Sequence, residues 1–335
     1  MPRRVTRTRG HHLFLRHHTE TFAMTPKRFV VLGGTGFIGS HLLAALAGDG
    51  HRITVLSRNR EQKRAINVLP NVRSISTDVY DRASLEKHIA GHDAVVNLVG
   101  ILNETGGATF THAHVDLTAT LIAACRQAGV RRIHLMSSLN AGNRASKYLK
   151  TRGEAEAQVR NSGMDWTIYR PSVVYGDGDS FVSRFLKLLR MGPVMPVAQP
   201  HAKFQPVYVR DVAGAIRRCL GDRASIGKIH ELYGRDTLEL IAIVRMIRDA
   251  AGLRRMVLPL PHVLGQMQAI VAELIPGKPF SRDNFNSLGV DSVGARDGFA
   301  DLGITPRRFA AMLPVVLGIH ARAHLLDIAR LTQDA

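Results

Sequence analysis

The sequence predicts an α/β fold built on a doubly wound parallel sheet. Three observations carry that expectation. The apolar run Val30-Val31-Leu32 passes directly into Gly33-Gly34-Thr35-Gly36-Phe37-Ile38-Gly39, in which Gly33, Gly36 and Gly39 recur at every third position. Short apolar segments then alternate with helix-length ones through the first half of the chain. The chain has 335 residues, 45% of them hydrophobic, which is ample for one large or two smaller cores.

The first strand is expected at Arg28–Leu32, where an unbroken apolar run suits a strand covered on both faces. The helix that follows, 37–46, places Ile38, Leu42, Ala45 and Leu46 on one side. The glycines therefore sit at a strand-to-helix turn. One permits the tight turn, one lets backbone approach a pyrophosphate, and one lets helix pack closely on strand. With Thr35, Phe37 and Ile38 between them they form a dinucleotide cradle, and the helix N-terminus offers N–H groups to phosphate. Further strands are expected at 52–56, Val72–Ser76, 94–99, 132–137 and 167–170. The intervening helices fall at Arg82–Ile89, 113–128 and 148–161, and Asp81 is placed to cap the first of these.

The end of the second strand speaks to the cofactor. An NAD site usually places Asp or Glu about 20 residues beyond the glycines, on the ribose 2′-hydroxyl. Here the chain reads Leu56-Ser57-Arg58-Asn59-Arg60, without an acid. The planar fork of Arg58 matches a 2′-phosphate, so NADP(H) is expected in preference to NAD(H). The bland alternative is a solvated basic loop at Arg58 and Arg60.

Composition narrows the classes. The formal charge is +18, but the basic residues are scattered and no helix-turn-helix, zinc finger or aromatic-basic platform accompanies them. Nucleic acid is not an expected partner. Cys125 and Cys219 lie in helical segments without a CxxC partner, which argues against a disulfide framework or metal site and for a reducing compartment.

Residues 1–23 stand apart, with Arg3, Arg4, Arg7, Arg9 and Arg16 against the single acid Glu20. They read as a disordered basic arm, an organelle transit peptide, or sequence upstream of the true start. The absence of Ser and of any apolar run beyond Leu13-Phe14-Leu15 argues against transit and secretory signals. Met24 is the expected start, and the leader is excluded from the fold.

GGTGFIG at 33–39, together with Arg170-Pro171-Ser172-Val173-Val174-Tyr175-Gly176 after the sixth strand, resembles the extended and atypical short-chain dehydrogenase/reductases. The resemblance covers about 28–317. Within it, Gln205-Pro206-Val207-Tyr208-Val209-Arg210-Asp211-Val212-Ala213 and Leu302-Gly303-Ile304-Thr305-Pro306 are similar to one branch. That branch holds the NADPH-binding accessory subunit of mitochondrial complex I and its bacterial relatives. The resemblance implies a Rossmann-like domain at 24–176 with return segments about 206–235. It implies a smaller, interleaved C-terminal lobe from 177–205 and 236–335. It also implies that Asp78 and Val79 meet the adenine, that Val99 and Gly100 pack on the cofactor ribose, and that Ser137 and Pro171 line the cofactor. The alternative for Asp78 is a helix-side cap or turn residue, but Asp81 is better placed to cap that helix, which favours the ligand role.

Catalysis in this family uses a tyrosine hydroxyl as acid/base, a cation beside it, and a Ser or Thr that orients the substrate carbonyl. The matching residues are Tyr148, Arg152 and Ser138. The family's lysine is replaced by Arg152, four residues after the tyrosine and on the same helical face, whereas Lys150 is out of phase. Arg152 can stabilise a tyrosinate and bond the nicotinamide ribose, but it stays charged and cannot relay a proton. Turnover is expected to be slow or absent. Tyr148 equally fits an amphipathic-helix residue with its ring on the core, and the serines fit ordinary strand-end chemistry.

Beyond Gly176 a helix is expected at 181–189, then an irregular Gly/Pro-rich loop at 192–205, with returns to the nucleotide domain at 211–220 and 228–233. The segment 263–275 is strongly apolar, with Arg254, Arg255, Lys278 and Arg282 flanking it. At 1.5 Å per residue it reaches about 20 Å, short of the roughly 30 Å bilayer core. It reads as a buried helix or cleft lid, or as a surface that docks on a membrane protein or takes up a quinone-like molecule. The stretch 309–328 is amphipathic and basic, and reads as a packed helix.

Two functions follow. One is an NADP(H)-holding accessory or assembly/stability factor for a respiratory NADH:quinone oxidoreductase or a quinone-biosynthesis complex. The other is an NADP-dependent reductase or sugar-nucleotide epimerase/dehydratase using Ser138, Tyr148 and Arg152. Without a signal, spanning helix or disulfides, the chain is expected in the cytoplasm or peripheral at the inner face of a membrane.

Overall fold

A computed structural model describes residues 26–58, 66, 68–273 and 281–318, the side chains of 269 and 271–273 excepted. The leader 1–23, Met24, Arg60, Lys278 and the stretch 319–328 lie outside the described residues. In chain order the first half reads β1 (Arg28–Leu32), α1 (Phe37–Ala47), β2 (Arg52–Ser57), β3 (Val72–Ser76), α2 (Arg82–Ile89), β4 (Ala94–Asn97), α3 (Leu117–Gln127), β5 (Arg132–Met136), α4 (Lys147–Arg160) and β6 (Asp165–Pro171). The second half reads β7 (Val174–Tyr175), α5 (Phe181–Met191), β8 (Val194–Val197), β9 (Lys203–Phe204), β10 (Val207–Tyr208), α6 (Val209–Gly221) and β11 (Lys228–Leu232). It continues with β12 (Leu238–Glu239), α7 (Leu240–Ala250), β13 (Met256–Pro259), α8 (His262–Glu273), α9 (Arg282–Leu288) and α10 (Phe309–Val316).

Seven of these strands form one parallel sheet in the order β11-β6-β5-β4-β1-β2-β3. The unbroken apolar run of β1 is explained by its central place. Phe29 and Val31 face a core with Leu42 and Leu46 of α1 and Ile216 of α6, while Val30 and Leu32 face the other with Leu117 and Leu121 of α3. Strand order reverses between β1 and β4, where Leu32 is in register with Asn97. A crevice at the carboxyl ends of those strands is where such a sheet takes its ligand.

The cap expected at Asp81 is present. Asp81 accepts from the N–H groups of Ala83 and Ser84 at 3.3 and 3.1 Å, fixing the start of α2. Ser146 accepts from Leu149 N at 3.2 Å at the start of α4.

Three segments differ from the expectation. The helix expected from 113 begins instead with a π-helical turn at Thr111–Asp116, closed by Leu117 N donating to His112 O. Hydrophobic spacing cannot register that one wider turn. The passage 192–205, expected to be an irregular loop, contains β8, which pairs with β13, and β9, which pairs with β12. Both are too short to show a period, and their partners lie far along the chain. The burial read into 263–275 does not hold for α8: Val263, Leu264, Met267 and Ile270 are exposed, and only Gly265 is buried among its described side chains. Apolar composition marks a segment that avoids water; it does not say what covers it. Among the described residues no helix is long and apolar enough to cross a membrane.

Candidate functional site

The cradle is built by backbone that tolerates no β-carbons. Gly33 has φ +75°, and a β-carbon there would lie 3.0 Å from both Leu98 C and Val99 N. Gly36 N donates to Gly33 O at 2.9 Å, closing the turn. A β-carbon on Gly39 would come within 2.6 Å of Gly34 Cα, so α1 seats directly on the turn. No side chain caps α1 and its first turn holds no acid, which leaves its amino end to an anion. Thr35 Oγ1 lies 3.4 Å from Ser57 Oγ and ties the cradle to the end of β2. Phe37 and Ile38 pack against a third core cluster, built around Tyr175, Tyr208 and Ile247. Gly34 also matters, since a β-carbon would meet Val55 Cγ1 at 2.9 Å; only the Gly-Gly doublet hinted at it.

Arg58 and Asp78 both stand exposed at the rim formed by β2 and β3. Ser76 Oγ donates to Arg58 O at 3.3 Å, which pins the backbone and not the guanidinium. Asp78 Oδ1 accepts from Tyr80 N at 2.9 Å, so the carboxylate closes its own turn. Val79 is buried in the core beneath. Tyr80 stacks on His112 of the π turn with ring centroids 3.8 Å apart, and burial raises the Tyr80 hydroxyl pKa. The sequence gave no sign of this stack.

Arg152 is brought to the ends of β4 and β5. Its Nη1 donates to Met136 O at 2.9 Å and to Val99 O at 3.4 Å, and its Cζ lies 5.3 Å from the centre of the Tyr148 ring. The guanidinium is buried, lies against Gly100, and leaves its Nε without a partner. Ser138 Oγ is a buried hydroxyl that likewise lacks one. Ser137 is turned away: its Oγ donates to Glu156 Oε1 at 2.6 Å, and Glu156 is held by Arg170 Nε at 2.9 Å. Pro171 ends β6, its carbonyl accepting from Leu139 N at 2.9 Å. Val99 N donates to the buried Asn97 Oδ1 at 3.1 Å.

Two further residues shape the tyrosine's surroundings. His114, on the π turn, sits edge-on to Tyr148 with ring centroids 5.6 Å apart and holds Thr151 Oγ1 through Nδ1 at 2.9 Å. Burial lowers its pKa to about 2, with Arg152 pushing the same way, so it is a neutral imidazole with an unpartnered Nε2. Asp283, at the start of α9, accepts from Lys147 N at 2.7 Å and Tyr148 N at 3.3 Å. The start of α9 thereby meets the amino end of the helix that carries the tyrosine. Neither could be read from sequence, because each contact depends on residues more than a hundred positions apart or on the unpredicted π turn.

Residues 33–186 match the NAD(P)H-binding family. The glycine cradle and the sheet order agree with that match. Residues 33–186 form an NAD(P)H-binding domain on a Rossmann-like parallel sheet. Among the proteins the chain is similar to is NADH dehydrogenase (ubiquinone) 1 alpha subcomplex subunit 9, mitochondrial, of Arabidopsis thaliana, 29% identical over 83% of this chain and 74% of that protein. Another is the mitochondrial NADH-ubiquinone oxidoreductase 40 kDa subunit of Neurospora crassa, 27% identical over 91% of this chain and 80% of that one. Among solved structures, a nucleoside-diphosphate-sugar epimerase from Staphylococcus aureus superposes with TM-score 0.70 at 17% identity, covering 86% of this chain and 99% of its own. The last likeness speaks to the fold alone.

Proposed function

We propose that this chain holds NADP(H) as a resident cofactor and serves as an accessory or assembly/stability factor for a respiratory NADH:quinone oxidoreductase or a quinone-biosynthesis complex. The observation that carries the reading is Arg152. Where catalytic members of the family use an amine, this chain has a buried guanidinium bonded to two strand-end carbonyls. Such a group braces the floor of the site and fixes positive charge there, but does not pass on a proton. The cradle of Gly33, Gly36 and Gly39 would hold the pyrophosphate, and Arg58 the 2′-phosphate. NADP(H), when bound, supplies hydride-transfer capacity to any such site. Similarity to two respiratory-complex subunits over most of this chain supports the choice of partner. The expected place is the cytoplasm or the inner face of a membrane, in company with that complex.

A second reading, an NADP-dependent reductase or sugar-nucleotide epimerase/dehydratase, is favoured by the buried Ser138 Oγ, which has no partner among the described residues. In that reading Ser138 orients a carbonyl and Tyr148 exchanges its proton. The readings separate when the chain is depleted from cells and the respiratory complex is resolved by native electrophoresis. Less assembled complex is expected; unchanged assembly contradicts the accessory role.

A further inference from the structure

The smaller lobe presents an apolar face that no described part of the chain covers. In the β8–β13 ribbon, Val194 pairs with Met256 and Pro196 with Leu258, and all four are exposed, while Met195, Val197 and Val257 are buried. Strand residues alternate in and out, so the outer row of a surface ribbon is ordinarily polar. Here both rows are apolar. Met191, at the end of α5, is 74% exposed beside it, and Met256 is 58% exposed. The helix α8 leaves β13 directly, with Leu260 N bonded to Val197 O, and carries Val263 at 66% and Met267 at 56% exposure, with Leu264 and Ile270 also exposed. Contiguous apolar surface of this kind marks an interaction site.

The charge around the face is predominantly positive, the acid Glu273 standing only at the far end of α8. Lys187 and Arg190 lie on α5 and Arg254 and Arg255 lead into β13, whereas 181–200 and 251–272 contain no Asp or Glu. Among the described residues, no carboxylate pairs with Lys187, Arg190 or Arg254. The exposed set named here is aliphatic and sulfur-bearing and includes no Trp or Tyr, the usual anchors of protein interfaces. Aliphatic residues entering the headgroup boundary beneath a basic rim are the pattern of peripheral membrane binding.

We infer that the face formed by β8, β13 and α8 docks on an anionic lipid surface. This goes beyond the cofactor reading and does not depend on it. The full chain is sedimented with vesicles of phosphatidylcholine alone and with vesicles that also contain phosphatidylglycerol. Binding is expected only to the anionic vesicles, falling with added salt. The double change Leu264→Glu with Met267→Glu should abolish it, and Lys187→Ala and Arg254→Ala should each weaken it about fivefold. Both sets lie far from the glycine cradle in sequence and on exposed positions, so melting temperature and NADP(H) affinity should be retained. Failure to bind anionic vesicles, equal binding to neutral ones, or binding untouched by both sets of changes overturns the inference. So does a dimer in solution that Leu264→Glu with Met267→Glu dissociates, because the face then belongs to a second copy.

Discussion

The guanidinium of Arg152 fills the space in front of Gly100, where any β-carbon would overlap its Nη2. Glycine at 100 and arginine at 152 are thus a matched pair, one giving up volume to the other. The same guanidinium holds Met136 O at 2.9 Å, so displacing it would leave a buried carbonyl and a buried cation short of partners. A lysine at 152 would put an exchangeable amine where the resemblance to the short-chain dehydrogenase/reductases places one. For a cofactor clamp, Arg152→Lys should leave NADPH oxidation against a panel of carbonyls at background. A rise of about 100-fold, the scale of general acid–base catalysis, would favour the enzyme reading.

Glu156 is the buried counter-charge of the site's far wall, shared by Ser137 Oγ and Arg170. Replacing it strands the Arg170 cation in a half-buried setting. Glu156→Ala should lower unfolding free energy by about 3 kcal/mol or more, read from the urea midpoint at unchanged slope. A loss below about 1 kcal/mol would mean that water already shares the pair.

Arg58 stands exposed at the end of β2, where the chain reads Leu56-Ser57-Arg58-Asn59-Arg60 without an acid. Arg58→Ala should weaken NADPH binding by about 10- to 100-fold, the worth of a charge-assisted contact, and leave NADH binding unchanged. Titration calorimetry with both nucleotides checks this. Equal losses for the two would assign Arg58 a structural part.

His114 gives the fold a pH dependence of known sign. Its folded pKa is lowered to about 2 from the ordinary 6.5, chiefly by burial. The unfolded chain takes up a proton near that ordinary value and the folded chain does not, so stability is complete above it and falls as pH drops below it. The slope from this one group is about 1.4 kcal/mol per pH unit. His134, also lowered by burial, acts in the same direction. In urea unfolding between about pH 5 and 6, His114→Gln should show a slope shallower by that single-group amount. An unchanged slope would mean that His114 titrates normally in the folded protein.

The sheet was legible because its signals are local. Val30 to Leu32 is apolar at every position since β1 is covered on both faces, and the glycines must be glycine for steric reasons that sequence carries directly. Asp81 was legible as a cap for the same reason. The candidate site residues could be named from the sequence, but their contacts could not. That Ser137 turns to Glu156, and that Arg152 grips Met136 O and Val99 O, depends on which strand end lies beside which helix. The π turn that brings His114 to Tyr148 changes one hydrogen-bond register without altering composition. The ribbon of β8 and β13 joins positions some sixty residues apart through strands too short to show a period.

The most direct measurement is to purify the chain without added nucleotide, release what is bound, and identify and quantify it by mass spectrometry. If NADP(H) is a resident cofactor, it should be recovered at close to one equivalent and remain through purification. An empty protein that binds NADP(H) weakly and reversibly would contradict residence and favour an exchanging co-substrate, and recovery of NAD(H) instead would contradict the reading of Arg58.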